Sequence, residues 1–399
     1  MNNKKSLIIY HKEDADGLCS MSIIYNYLMG NTRDQFINTI SDSFINNVQL
    51  YNYTQQFTQH TDNIDLIGTT YAELTNMIKQ YGSAETLVDR WSKKYDQIFM
   101  TDISFNEVQV MKLLKEKFKF GFYWFDHHAP IINASVKEGF DNVSGNRDTK
   151  CSATMLAWNH LYGSPFTLLH NDFSDGNVIP EFIRAISGYD SFNWVAHGLE
   201  FSKCYYYVRG YEVSTNLLPD ICIDFMSRFI ISTVLDAEYK LENKPDWYLR
   251  SSNTYHEFLE SMYLQLHDFE EFGTTVEQYE DYMWQRNIET WSDFGWSIDG
   301  KYGEKRESIA LFCQQPTCSR FFKSLLVTHP EVKNAIVFKK NPSNDTWSVS
   351  VYNIDIKDDE IFHVGQYLKK RYNGGGHAGA GGATISKNQF ARIMKTKSI

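Results

Sequence analysis

The chain has 399 residues, 42% of them apolar and 15% aromatic, with a formal net charge of −10. This content suits the globular cores of two or three domains and excludes a disordered chain. The acidic balance disfavours a long nucleic-acid duplex, whose binding is dominated by phosphate contacts to a basic surface, and suits a small anionic substrate gripped by cations among carboxylates.

The N-terminal MNNKKSLIIYHKEDADG places Lys4 and Lys5 before a short apolar run. It reads as a strand and not as a signal peptide. Ser6 to Tyr10 is that strand, ending in HKEDADG, and a helix pattern follows from about Leu18 to Met29. Val48 to Tyr53 reads as a second strand and Tyr71 to Gln80 as a helix. Asp96 to Met100 is a third strand, stopping at Thr101-Asp102, and Val108 to Phe118 is helical. Gly121 to Phe125 is a fourth strand, stopping at Asp126-His127-His128, with helices at Ser152 to Tyr162 and Pro180 to Ile186. The β-α-β-α order predicts an α/β fold with a parallel sheet and helices on both faces.

From about Val195 to Trp296 strand signals fade. Long aromatic, acidic helices are expected there, such as Tyr255 to Phe272, with Phe258, Met262, Leu264 and Phe269 at loosely helical spacing. Strands return after Gly300 at Ile309 to Phe312, Asn334 to Phe338 and Trp347 to Tyr352. A helix over Ile361 to Tyr372 then leads into a glycine cluster. The expected organisation is a parallel-sheet domain over 1–195, a helical segment over 196–296 and a smaller α/β domain over 297–399.

The six cysteines, Cys19, Cys151, Cys204, Cys222, Cys313 and Cys318, form no CxxC pair and read as reduced thiols of a cytoplasmic protein. Cys313 and Cys318 are close enough to leave a weak structural metal pair open. No apolar stretch approaches the roughly 18 residues that span a bilayer, so no membrane partner is expected. Oligomeric state, including a homo-oligomer, is left open by the sequence.

Three strands of the first half end in acidic or histidine residues. In an open parallel sheet the functional crevice lies beyond the carboxyl ends of the strands. His11, Asp14, Asp16, Asp102, Asp126, His127 and His128 should therefore converge. Each also has a plainer reading when taken alone. Asp14 or Asp16 could cap a helix, TDIS could be another N-cap, and the paired histidines could lie on the surface. Together they demand a cation, because crowded carboxylates repel one another. Two divalent cations roughly 3.5–4 Å apart, bridged by one carboxylate, would resolve the repulsion and activate a bridging water for in-line attack on phosphorus. Aspartates mixed with imidazoles favour manganese, with magnesium, cobalt, iron or zinc as alternatives. Far along the chain, NGGGHAGAGG over 373–382 would let the backbone fold around an anion, with His377 donating to a phosphate.

In order, HKEDADGLCS, TDIS, FDHH, ISGYDSFNW and NGGGHAGAGG resemble the motifs of the DHH/DHHA1 phosphoesterases. That family includes nanoRNases, pAp phosphatases, cyclic-di-AMP phosphodiesterases and RecJ exonucleases. SATMLAWNHLYG also resembles a helix common among them. The resemblance implies that His11 and Asp14 hold one metal, that Asp16, His127 and Asp190 hold the other, and that Asp102 bridges them. Asp126 would support the site, and His128 would contact the substrate phosphate or assist the leaving oxygen. Gly374, Gly375, Gly376 and His377 would bind substrate. Arg371, beside the cluster, is the candidate substitute for the arginine that relatives carry on the preceding strand, where this chain reads SVSVYN.

The expected function is manganese-dependent hydrolysis of short oligonucleotides or small nucleotides. Three alternatives stand beside it: a cyclic-dinucleotide phosphodiesterase, a RecJ-like exonuclease on long single strands, and a non-catalytic nucleotide-binding module. A RecJ-like enzyme needs a basic groove with stacking aromatics, which the overall charge disfavours.

Overall fold

The structure is a computed structural model. It describes residues 5–30, 63–140, 142–162, 179–240, 252–299, 305–312, 319–322, 325–341, 345–355 and 362–399. The chain divides into two compact units, Met1–Val276 and Glu277–Ile399.

The first unit is α/β. Its described elements are β1 (Ser6–His11), α1 (Ala15–Leu28), β2 (Ile64–Thr69), α2 (Tyr71–Tyr81), α3 (Ala84–Lys94), β3 (Gln97–Thr101), α4 (Val108–Phe118), β4 (Phe122–Phe125), α5 (Ala129–Lys137), α6 (Ala153–Leu161), α7 (Glu181–Asp190), α8 (Phe201–Thr215) and α9 (Pro219–Lys240). A 40-residue helix, α10 (Ser252–Trp291), contains the point at which the two units divide. The strands form one parallel sheet in the order β2-β1-β3-β4.

Alternation along the strands sends side chains to two cores, as a period of two requires. Ile8, Tyr10, Phe99 and Phe125 join α1, α6, α7, α8, α9 and Met262 and Phe269 of α10. Leu7, Ile9, Ile98, Met100 and Trp124 join α2, α3, α4 and α5. Burying a large apolar side chain stabilises by about 1.5–3 kcal/mol, so a strand buried on both faces is strongly fixed in register. The helices after Val195 thus share a core with the sheet. Met262 and Phe269 face inward, whereas Leu264 is exposed.

The expected strand Val48 to Tyr53 lies outside the described residues. The strand beside β1 is Ile64–Thr69, which sequence reading passed over. Its IDLIGT is not an apolar run, because the strand lies at the edge of the sheet and carries the part-exposed Asp65. There it meets Lys94 at 2.7 Å, Lys5 at 3.3 Å and the Tyr95 hydroxyl at 2.6 Å. Helices α3 and α5 were likewise not foreseen. Ser83 caps α3 by accepting from the Thr86 N–H.

The second unit carries a mixed sheet in the order β5-β6-β7-β8-β10-β9. Its elements are β5 (Asp293–Asp299), β6 (Lys305–Phe312), α11 (Leu325–Thr328), β7 (Asn334–Lys340), β8 (Thr346–Asn353), α12 (Val364–Tyr372), β9 (Gly375–Gly376), β10 (Ala380–Ser386) and α13 (Lys387–Thr396). β6 and β7 are parallel and the other pairings antiparallel. Trp296, Ile336, Phe338, Val349, Leu368 and Ile385 fill the core on one face.

Among the described residues no helix is long and apolar enough to cross a membrane. Cys19, Cys151, Cys204 and Cys222 are free thiols, and Cys313 and Cys318 lie outside the described residues.

Candidate metal centre

Because the four strands of the first unit are parallel, their carboxyl ends share one edge. His11 closes β1 there. Asp14 caps α1 by accepting the Gly17 N–H at 3.0 Å. A Cβ on Gly17 would sit 2.0 Å from the His11 carbonyl oxygen, so only glycine lets the first turn of α1 close onto the strand end. Asp102 leaves β3 in the left-handed conformation, with φ of 57°, which aspartate tolerates better than most residues. Its N–H donates to the Phe125 carbonyl at 3.0 Å, tying the ends of β3 and β4 together.

Two donor groups result. His11 Nδ1 lies 2.8 Å from Asp14 Oδ2 and 3.5 Å from Asp102 Oδ2. His127 Nε2 lies 3.2 Å from Asp102 Oδ1, 2.9 Å from Asp190 Oδ2 and 3.9 Å from Asp16 Oδ2. The sets His11, Asp14, Asp102 and Asp16, Asp102, His127, Asp190 each offer ligand atoms within 4.8 Å of one another. Asp102 is common to both, one oxygen toward each imidazole. Asp16, Asp102 and His127 are each 2% exposed.

Asp16 has further partners. Its two oxygens accept the N–H groups of Ala153 and Thr154, both at 2.8 Å, and its carbonyl accepts the Thr154 hydroxyl at 3.0 Å. Both aspartates of the first motif therefore cap helices, Asp14 its own and Asp16 the distant α6. Each still presents its carboxylate to the cluster.

Asp126 belongs to neither set. It is fully buried, with Oδ2 accepting Trp124 Nε1–H at 3.0 Å. Its Oδ1 takes the His128 N–H at 3.0 Å and the His128 ring at 2.8 Å. That carboxylate selects Nδ1 as the protonated ring nitrogen and leaves Nε2 as the other pole of the ring. The Tyr71 ring stands edge-on to His128, with centroids 5.8 Å apart, and tilted toward His11 at 6.2 Å.

The electrostatics follow from crowding. Burial lifts Asp14 and Asp16 above the ordinary carboxylate range, and the charge on Asp102 lifts them further. Burial opposes charge on His11, but hydrogen bonds to Asp102 and Asp14 outweigh it and push its pKa up to about 11. Burial likewise opposes charge on His127, and Asp190 and Asp102 outweigh it and hold its pKa well up. Burial alone would raise Asp102, yet its bonds to His11 and His127 hold it well below the usual range. Without cations, the imidazoles hold protons that balance the carboxylates. Four carboxylates and two imidazoles in two groups sharing the Asp102 carboxylate fit a pair of divalent cations with mixed oxygen and nitrogen preference.

Sequence reasoning missed Tyr71, Trp124, Ala153 and Thr154. A backbone N–H has no letter in a sequence, so the α6 amides left no signal beyond the cap residue Ser152. Tyr71 opens α2 just past the cap residue Thr70, two residues beyond the end of β2, so reading β2 as a strand would have placed it near a strand end.

The remaining candidates lie in the second unit. Arg371 is exposed in the last turn of α12, its guanidinium 5.5 Å from the Tyr367 ring centroid. Gly374, Gly375, Gly376 and His377 run from the end of α12 through β9, and the His377 N–H donates to the Ala380 carbonyl at 2.7 Å.

No family model and no curated protein matches the chain. Among solved structures, it is similar to RecJ in complex with Mn2+ from Thermus thermophilus, at 10% identity and a TM-score of 0.43, over 99% of this chain and 51% of that one. An exopolyphosphatase-related protein from Bacteroides fragilis gives 14% identity and a TM-score of 0.39, over 99% and 91%. A pGpG-specific phosphodiesterase from Vibrio cholerae gives 12% and 0.35, over 98% and 97%. At such identities the functional reading rests on the residues of the site itself.

Proposed function

We propose that this protein is a DHH-type, divalent-metal-dependent phosphoesterase acting on short oligonucleotides or small nucleotides, with manganese as the working ion. The observation that carries the reading is the shared Asp102, whose two oxygens serve two donor groups. His11, Asp14 and Asp102 would hold one cation, and Asp16, Asp102, His127 and Asp190 the other. Bound cations of this kind acidify water and offset charge on phosphoryl oxygens.

The rest of the chemistry falls to this chain's own side chains. The α6 amides on Asp16 fix its carboxylate and share its charge, so it stays oriented while the neighbouring carboxylates repel it. Asp126 holds His128 by Nδ1, which directs the opposite ring nitrogen to the substrate phosphate or leaving oxygen. Gly374, Gly375, Gly376, His377 and Arg371 would take the nucleotide. Residues 362–399 support an anionic ligand there. They carry Lys369, Lys370, Arg371, Lys387, Arg392, Lys395 and Lys397 and no Asp or Glu, so the acidic average of the chain does not extend to this segment.

The test is an activity panel with purified protein and Mn2+: RNA and DNA of two to about ten nucleotides, pAp, linear and cyclic dinucleotides, and bis(p-nitrophenyl) phosphate. Turnover of a short phosphoester that EDTA abolishes is expected. Two bound Mn2+ without turnover of any member would sink the enzymatic reading and leave a nucleotide-binding module.

A further inference from the structure

A buried line of polar side chains braces the glycine segment of the second unit. Asn353, at the end of β8, is 3% exposed. Its Nδ2 donates to the Phe362 carbonyl at 2.9 Å and to the Ala378 carbonyl at 3.3 Å. Its Oδ1 accepts from Asn334 Nδ2 at 2.6 Å, and Asn334 Oδ1 accepts from Arg306 Nε at 3.0 Å. The Arg306 guanidinium lies 4.9 Å from the centroid of the Phe362 ring. Buried amides of this kind are costly unless satisfied, and a satisfied network fixes the backbone it touches.

Its effect on the segment follows from peptide geometry. The His377 carbonyl accepts the Gly365 N–H at 2.9 Å, and the Ala378 carbonyl accepts the Val364 N–H at 2.9 Å as well as Asn353 Nδ2. The Gly379 carbonyl accepts the Asn353 N–H at 2.8 Å. Three successive carbonyls thus turn toward α12 and β8. A trans peptide sets each carbonyl opposite the next N–H, and the described chain has no cis peptide. The N–H groups of Ala378 and Gly379 therefore point away from those elements, and neither donates to a described residue. Adjacent N–H groups on one side of a backbone form an anion-binding concavity.

We propose that Asn353 is a positioning residue for substrate affinity: backed by Asn334 and Arg306, it holds the Ala378 and Gly379 amides outward to receive a phosphate of the nucleotide. The proposal rests on the reading above that the glycine segment binds substrate. Asn353 touches no reacting atom in this scheme, so its loss weakens binding and leaves the chemical step alone.

Asn353→Asp tests it. Size and the acceptor facing Asn334 are retained, but an oxygen replaces the amide that donates to Phe362 and Ala378. Kinetics with Mn2+ are compared on pApA and on bis(p-nitrophenyl) phosphate, which has no second phosphate to reach the segment. KM for pApA should rise about tenfold or more, the scale of one lost buried hydrogen bond, with kcat nearly unchanged and the second substrate unaffected. Asn353→Ser, which keeps a donor, should recover part of the affinity and serves if the aspartate variant fails to fold. An unchanged KM for pApA, or an equal loss of kcat on both substrates, would overturn the proposal. If wild type hydrolyses neither substrate, NMR of the Ala378 and Gly379 amides under 5′-AMP titration separates the two readings. Shifts present in wild type and lost in Asn353→Asp would uphold the positioning role while the catalytic reading fails. Shifts absent in wild type would overturn the positioning role as well.

Discussion

Asp126 meets His128 twice through one oxygen: Oδ1 accepts the backbone N–H at 3.0 Å and the ring Nδ1 at 2.8 Å. The other oxygen is occupied by Trp124 Nε1–H at 3.0 Å. Burial would raise this carboxyl, but the charge and hydrogen bonds of His128 outweigh it and hold it below the ordinary range. Asp126→Asn leaves one acceptor oxygen for two sets of donors: turned to keep Trp124 Nε1–H, it sets its NH2 against the His128 N–H and ring Nδ1. His128 should then lose its fixed orientation. Partners that orient a site's residues are worth about 10–100-fold, so kcat should fall on that scale while Mn2+ stoichiometry stays at two. Calorimetry beside steady-state kinetics checks both, and loss of one bound Mn2+ would show that Asp126 is itself a ligand.

Asp102→Asn addresses the shared carboxylate. Asparagine accepts the left-handed backbone of this position, so the fold should survive. The variant removes one negative ligand from both donor groups at once. Bound Mn2+ should drop below two per chain, and turnover should fall at least about a hundredfold, comparable to losing one transition-state-stabilising donor. Wild-type activity in this variant would remove Asp102 from the mechanism.

Much of this site was legible because its residues punctuate apolar runs. His11 ends a buried strand, Asp102 and Asp126 each follow one, and a parallel sheet brings strand ends together. Asp190 was not legible that way. It ends an amphipathic helix, where a cap is the default; the motif resemblance alone marked it as a ligand, and in the structure it lies 2.9 Å from His127. β2 was hidden because an edge strand can keep Asp65 in water among lysines. The braces were hidden for a different reason. Asn353 and Asn334 act on backbone carbonyls, and Ala153 and Thr154 act through backbone amides, so their partners are invisible in one-letter code.

Metal binding should release protons. His11 and His127 have raised pKa values in the metal-free protein, His11 at about 11, and a ligating imidazole must be neutral. Mn2+ affinity should therefore strengthen as pH rises from 6 to 8, with proton release seen as buffer-dependent calorimetric heats. The same shift gives a sign for stability without metal. A raised folded-state pKa contributes stability that is full below the ordinary histidine value of about 6.5 and is lost as pH rises through the folded value. In EDTA, His11→Gln should therefore cost the protein more stability at pH 6 than at pH 9. Affinity that does not vary with pH would mean that neither imidazole is protonated before binding.

The glycines of the second unit should not be equivalent. Gly376 has φ of 132°, and a Cβ there would lie 2.4 Å from the Ala380 carbonyl oxygen. A Cβ on Gly375 would meet nothing within 4 Å. Alanine at 376 must therefore strain the backbone or move β10 away from β9, at a cost of about 1–3 kcal/mol. Alanine at 375 should shift stability by less than about 0.5 kcal/mol. Chemical denaturation of the two variants beside wild type measures the difference. Because β9 pairs with β10 through Gly376 and Gly381, Gly376→Ala should also raise KM for pApA through the displaced segment. Equal stability of the two variants would show that the backbone around 376 relaxes freely, and a rigid cradle for phosphate would then be untenable.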